Sequence, residues 1–188
     1  MSKQLTAAFA DPSRDAARAF RQVLDAMANP GRIVPVTHLE APAPCSPAAA
    51  AILLTLVDHT TPLYLAGGHD CAALRDWVQF HLGARLVGPS DAAFALGTWE
   101  ALGPLSTYRQ GSAEYPDRSA TLIVEMANLR NAGVKLTGPG IETEAWLSLP
   151  DLPALAANAA CFPLGLDFLF TCDVRIAALP RSTRLEGC

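Results

Sequence analysis

The chain has 188 residues, 51% of them hydrophobic and 17% charged, with a formal net charge of −4. That length is enough to bury a core in one domain without disulfides or metal, and that composition excludes a disordered chain. A negative balance with scattered arginines also disfavours nucleic-acid binding, which rests on neutralising phosphates.

The longest apolar run, Ala48 to Val57, is about half of what a membrane-spanning helix needs. The start, MSKQLTAAFADPSRDAARAF, lacks the apolar stretch of a secretory leader. The five cysteines (Cys45, Cys71, Cys161, Cys172 and Cys188) contain no CxxC pair, so reduced thiols in a cytoplasmic protein are expected. The large apolar fraction raises the expectation of burial in an oligomer or complex.

Taken in chain order, Asp11 and Pro12 open a first helix with Phe20, Val23, Leu24 and Met27 on one face, and Asn29-Pro30-Gly31 stops it. Ile33 to Val36 reads as a short strand that Pro35 places at a sheet edge or bulge. Glu40 to Pro47 is an extended surface connection. Ser46-Pro47 repeats the cap-plus-proline start, and Ala48 to Val57 reads as a buried helix ended by Asp58-His59-Thr60-Thr61-Pro62. Leu63 to Leu65 is a strand closed by Gly67-Gly68, and Asp70 is positioned to cap a helix burying Leu74, Trp77 and Val78 with His81 or Leu82. Arg85 to Val87 and Ala92 to Thr98 suggest two further strands, and Gly103 to Pro116 is polar and loop-like.

Ala120 to Glu125 is short, apolar and rich in β-branched residues, as expected of a strand buried on both faces. Turn chemistry from Asn128 to Gly133 leads to a second strand, Val134 to Thr137, stopped by Gly138-Pro139-Gly140. The two strands suggest a buried hairpin-like centre ending in a sharp glycine loop, a natural place for a ligand or partner. Ile141 to Leu149 fits helix or strand equally. Pro153 to Cys161 predicts a helix, Leu166 to Thr171 a strand, and Leu179 to Arg184 a positively charged, exposed tail. Helices interleaved with short strands predict one α/β domain over residues 1–188, three layers deep, with a mixed sheet.

The chemistry is sparse. Neither GxxxxGK[ST] nor GxGxxG nor GxSxG occurs, and the glycines at 67–68 and 138–140 are first of all turn residues. His38, His59, His69 and His81 share no ligand spacing, so no metal is expected. Pyridoxal phosphate needs a Schiff-base lysine, and the chain has only Lys3, near the start, and Lys135, flanked by Val134 and Leu136. The cleft candidates are Arg32, His59 beside Asp58, Glu125, Lys135 and Asp167. Glu125 and Asp167 each punctuate an apolar strand, either to line a cleft or to meet an arginine such as Arg32 or Arg118. These residues do not make a complete catalytic set, so no catalytic residue and no cofactor is assigned.

Six blocks nevertheless form an ordered pattern: Phe20 to Ile33, Leu56 to Pro62, Gly111 to Val124, Leu136 to Ile141, Phe162 to Asp167 and Leu179 to Thr183. Together they resemble the PhnH family, the H subunit of the bacterial carbon–phosphorus lyase machinery. The resemblance implies a cytoplasmic protein of phosphonate catabolism, homodimeric alone and assembling with subunits G, I and J, with K and L in the larger complex. It implies a fold like the large domain of pyridoxal-phosphate-dependent transferases, without the cofactor. It also implies involvement, with G, I and L, in transferring the ribose triphosphate of ATP to a phosphonate as adenine leaves. Two roles follow: a structural subunit, or one that adds catalytic or ligand-binding residues to the transfer site.

Overall fold

The computed structural model describes residues 8–36 and 39–187, so Lys3, His38 and Cys188 lie outside the described residues. The helices are α1 (Pro12–Ala28), α2 (Pro47–Leu56), α3 (Ala72–His81), α4 (Trp99–Leu102) and α5 (Leu152–Ala159). The strands are β1 (Val34–Pro35), β2 (Leu63–Leu65), β3 (Phe94–Thr98), β4 (Thr121–Glu125), β5 (Val134–Thr137), β6 (Ala145–Leu147), β7 (Asp167–Cys172), β8 (Arg175–Leu179) and β9 (Arg184–Glu186). Neither α4 nor β8 has a counterpart in the sequence expectations.

The main sheet has six strands in the order β1-β8-β7-β4-β3-β2. Strands β2, β3, β4 and β7 are parallel, while β8 runs antiparallel to both β7 and β1. The sheet is therefore mixed, as expected. Pro35 sits on its edge strand, where a missing N–H leaves no ladder bond unmade. A second, antiparallel sheet in the order β6-β5-β9 was not foreseen. It also corrects the hairpin reading. Strand β4 has β3 on one side and β7 on the other, so it offers no free edge, and β5 pairs instead with β6 and β9. The ambiguous segment 141–149 contributes β6, and Arg85 to Val87 yields only an isolated bridge from Leu86 to Leu63.

The parallel strands are apolar on both faces because both faces are covered. Leu65, Leu96, Ile123 and Leu169 face a core shared with α1, α2 and α3. Ala95, Leu122, Val124, Phe168 and Phe170 face a second core that takes in Leu155 of α5 and Leu136 and Leu147 of the small sheet. The third layer is thus helix and small sheet together, with α5 against β9. Phe168 and Phe170 are fully buried and stacked 6.0 Å apart. Each buried aromatic of this kind contributes about 2–3 kcal/mol by transfer from water.

Local chemistry fixes the helix starts. The Asp11 carboxylate accepts the Arg14 amide hydrogen, and the Ser46 hydroxyl accepts that of Ala49 at 3.1 Å. Two helix expectations need correction. Helix α1 packs through Ala19, Val23 and Ala26, and leaves Phe20 and Leu24 half exposed. It lies against the buried alanines of α2, and small facing side chains bring two helices close and turn the larger pair to the rim. Asp70 does not cap α3. It pairs with the Arg75 guanidinium, which also holds its carboxyl below the usual range, and Cys71 takes the cap position.

The segment after β8 is not an exposed tail. Thr183 is buried, Arg181 is largely buried, and Arg184 begins β9, paired with Thr137.

Candidate functional site

Glu125 ends β4 at the carboxyl edge of the parallel strands, in register with Thr98 and Thr171. Its Oε1 accepts the Ser46 amide hydrogen at 2.7 Å and its Oε2 accepts the Thr171 hydroxyl hydrogen at 2.9 Å. A carboxylate here ties the start of α2 to the sheet and complements the positive end of the helix dipole. His69 stands beside it in the turn after β2, buried, with Nε2 3.9 Å from Oε1 and without a hydrogen-bond partner among the described residues. Cys45 adjoins the same carboxylate. Burial, then the charge of Glu125, then Cys71 push its thiol well above the ordinary range, so it stays neutral and is a poor nucleophile. Sequence reasoning passed over His69 as a site residue, although a Gly-Gly pair directly after a strand marks a turn at the sheet edge.

Asp167 opens β7 at the opposite, amino edge. Its Oδ1 accepts the Arg181 amide hydrogen at 2.8 Å and the Nε hydrogen at 3.2 Å, while Oδ2 accepts from Nη2. Arg181 Nη1 donates to the Pro116 carbonyl at 2.6 Å. The side chains are only 14% and 17% exposed, which makes this a forked, largely desolvated pair. The arginine partners expected for the two carboxylates are engaged elsewhere: Arg32 pairs with Asp25 at 3.0 Å, and Arg118 lies 3.9 Å over the Tyr115 ring.

The other candidates do not converge on either edge. Arg32 borders an open groove of about 370 Å³ with Asn131, Glu142 and Trp146. Lys135 pairs with Glu186, its cross-strand neighbour in the small sheet, at 2.6 Å. His59 is exposed in the turn after α2. Asp58 beside it accepts hydrogens from Thr60 and Thr61, and those bonds hold its carboxyl below the usual range. With Glu125 and Asp167 at opposite ends of one sheet, the five residues form no common cleft.

A second cavity also gathers separated segments. About 330 Å³ in volume, it is bordered by Gly138, Pro139, Phe162, Arg181, Thr183 and Arg184. Three of the blocks picked out in the sequence, 136–141, 162–167 and 179–183, meet there, and Arg181 reaches a fourth through Pro116.

The model of a family described as bacterial phosphonate metabolism protein (PhnH) matches residues 7–186. The chain belongs to the PhnH family. A Rhizobium meliloti (strain 1021) protein named alpha-D-ribose 1-methylphosphonate 5-triphosphate synthase subunit PhnH is 37% identical over 196 residues, covering 98% of this chain and 97% of that protein. A Stutzerimonas stutzeri protein, HtxG, whose name gives it provisionally as a C-P lyase subunit, is 31% identical over 178 residues, covering 89% of this chain and 84% of its own length. The PhnH pattern read from the six blocks is thus matched over nearly the whole chain.

Proposed function

We propose that this chain is a subunit of a carbon–phosphorus lyase assembly in phosphonate catabolism, and that its role there is structural. The assembly transfers the ribose triphosphate moiety of ATP to a phosphonate, displacing adenine. The observation that carries this reading is the near full-length match to a protein named as a subunit of that synthase. The carboxyl edge of the parallel strands supports the structural role. Open α/β sheets bind ligands outside that edge, whereas here Glu125 spends both oxygens on Ser46 and Thr171.

Subunits G, I and J are the partners in the core, with K and L joining the larger assembly, in the cytoplasm. The isolated chain is a homodimer in this reading. A likeness to the large domain of pyridoxal-phosphate-dependent transferases belongs to it too, supported by a mostly parallel sheet with helices against one face. No cofactor is invoked, since Lys135 is held by Glu186 in the second sheet. Co-expression with G, I and J tests the proposal. The full chain is expected to co-elute with them on size exclusion at micromolar concentration, and separation from them would overturn it. A second reading, in which the chain also adds ligand-binding residues, is favoured by the arginine-lined cavity.

A further inference from the structure

Three features of the cavity beside the Gly138–Pro139 loop point to one kind of ligand. First, its charge is positive. Arg181 and Arg184 border it, Asp167 offsets one of them, and Arg184 is exposed with no ion pair among the described residues. Second, donors remain. A guanidinium carries five N–H groups, and Arg181 uses three, on Asp167 and Pro116, so two are left on a side chain already locked in place. Third, Phe162, 60% exposed, and Pro139 add apolar surface beside the charge.

The loop geometry makes the cavity possible. Gly138 has φ +127°, an angle that residues with a side chain rarely adopt, and a Cβ there would stand a tight 3.2 Å from the Ser182 carbonyl oxygen, so glycine favours the close approach of this loop to residues 182–184. The resulting volume of about 330 Å³ lies in the range of small-molecule sites.

We infer that this cavity binds a phosphorus oxyanion, either a phosphonate or a terminal phosphate, on a small organic ligand. Arg184 and the spare Arg181 donors take the oxygens, and Phe162 with Pro139 covers the organic part. The preference for phosphorus over carboxylate rests on the function proposed above; the anion site itself does not.

Calorimetric titration of the purified full chain with methylphosphonate, tripolyphosphate and acetate tests this. Saturable binding is expected with methylphosphonate if the site takes the phosphonate, or with tripolyphosphate if it takes the phosphate chain. Acetate should bind more weakly than whichever of the two binds. Replacing the exposed Arg184 (Arg184→Gln, and Arg184→Ala as a second variant) should weaken that binding about tenfold or more without lowering the melting temperature. No saturable binding of either phosphorus anion at millimolar concentration would sink the inference, as would unchanged binding by both variants. Equal binding of acetate would overturn the choice of phosphorus. Co-elution of the Arg184→Gln chain with G, I and J separates the two readings, because assembly should survive loss of the anion site.

Discussion

The Tyr108 ring is 3% exposed, and its hydroxyl donates to the Leu102 carbonyl at 2.7 Å. Burial first, and then the neighbouring Tyr64 phenol, push its proton loss far above the usual tyrosine range. An unfolded tyrosine gives up its proton near pH ~10. Above that pH the folded chain holds a proton the unfolded chain has lost, so this contribution to stability is full below about pH 10 and falls as pH rises. The urea midpoint should therefore drop as pH rises above about 10, and Tyr108→Phe should flatten the drop while costing about 1 kcal/mol near neutrality. An equal drop in both proteins would rule Tyr108 out as its source. Glu125 and Asp167 stood out in the sequence because each carboxylate borders an apolar strand. Their partners did not. Ser46 is 79 residues from Glu125, Thr171 is 46, and Arg181 is 14 from Asp167, separations at which no local spacing rule operates.

At the scale of elements, the loop 138–140 joins the small sheet to the end of α1. Gly140 has φ +82°, and a Cβ there would collide with the Ala28 carbonyl oxygen. Gly140→Ala therefore combines a disfavoured backbone angle with a backbone clash and should cost more than about 2 kcal/mol in a denaturant titration. Gly68→Ala, where a Cβ would meet nothing within 4 Å, is the control and should stay within about 0.5 kcal/mol. Similar losses at both positions would contradict the packing argument. Helix starts were legible because capping is chemistry between residues three apart, as Asp11 and Ser46 show. The Asp70 cap failed because Arg75, five residues on, competes for the same carboxylate with a charge-assisted fork.

Across the whole molecule, the six-stranded sheet is the wall between two cores. Trp77 is fully buried in one, and Trp99 packs against the other, 6.2 Å from the Phe168 ring. Ile123 and Leu169 face the first core while their neighbours in the same strands, Leu122 and Phe168, face the second, so neither core can open without the shared strands. Single-tryptophan variants retaining Trp77 or Trp99 should unfold in urea with coincident midpoints, as one cooperative domain does. Separate midpoints would mean two units.

What the sequence by itself determined is the set of features that depend on neighbours along the chain. These are the caps of α1 and α2, the both-faces-buried character of β4, the α/β class and the ordered blocks of the PhnH pattern. What only the tertiary structure decided is which strands pair and which side chains meet. Strands β4 and β5 part into different sheets because β3 and β7 already occupy both edges of β4. Arg181 leaves solvent for Asp167, and Gly138, Phe162 and Arg184 come to border one cavity from three distant segments. Backbone propensity and capping act within a turn or two of chain. Sheet edges, ion pairs and cavities are settled by which surfaces exclude water together, and that depends on the whole fold.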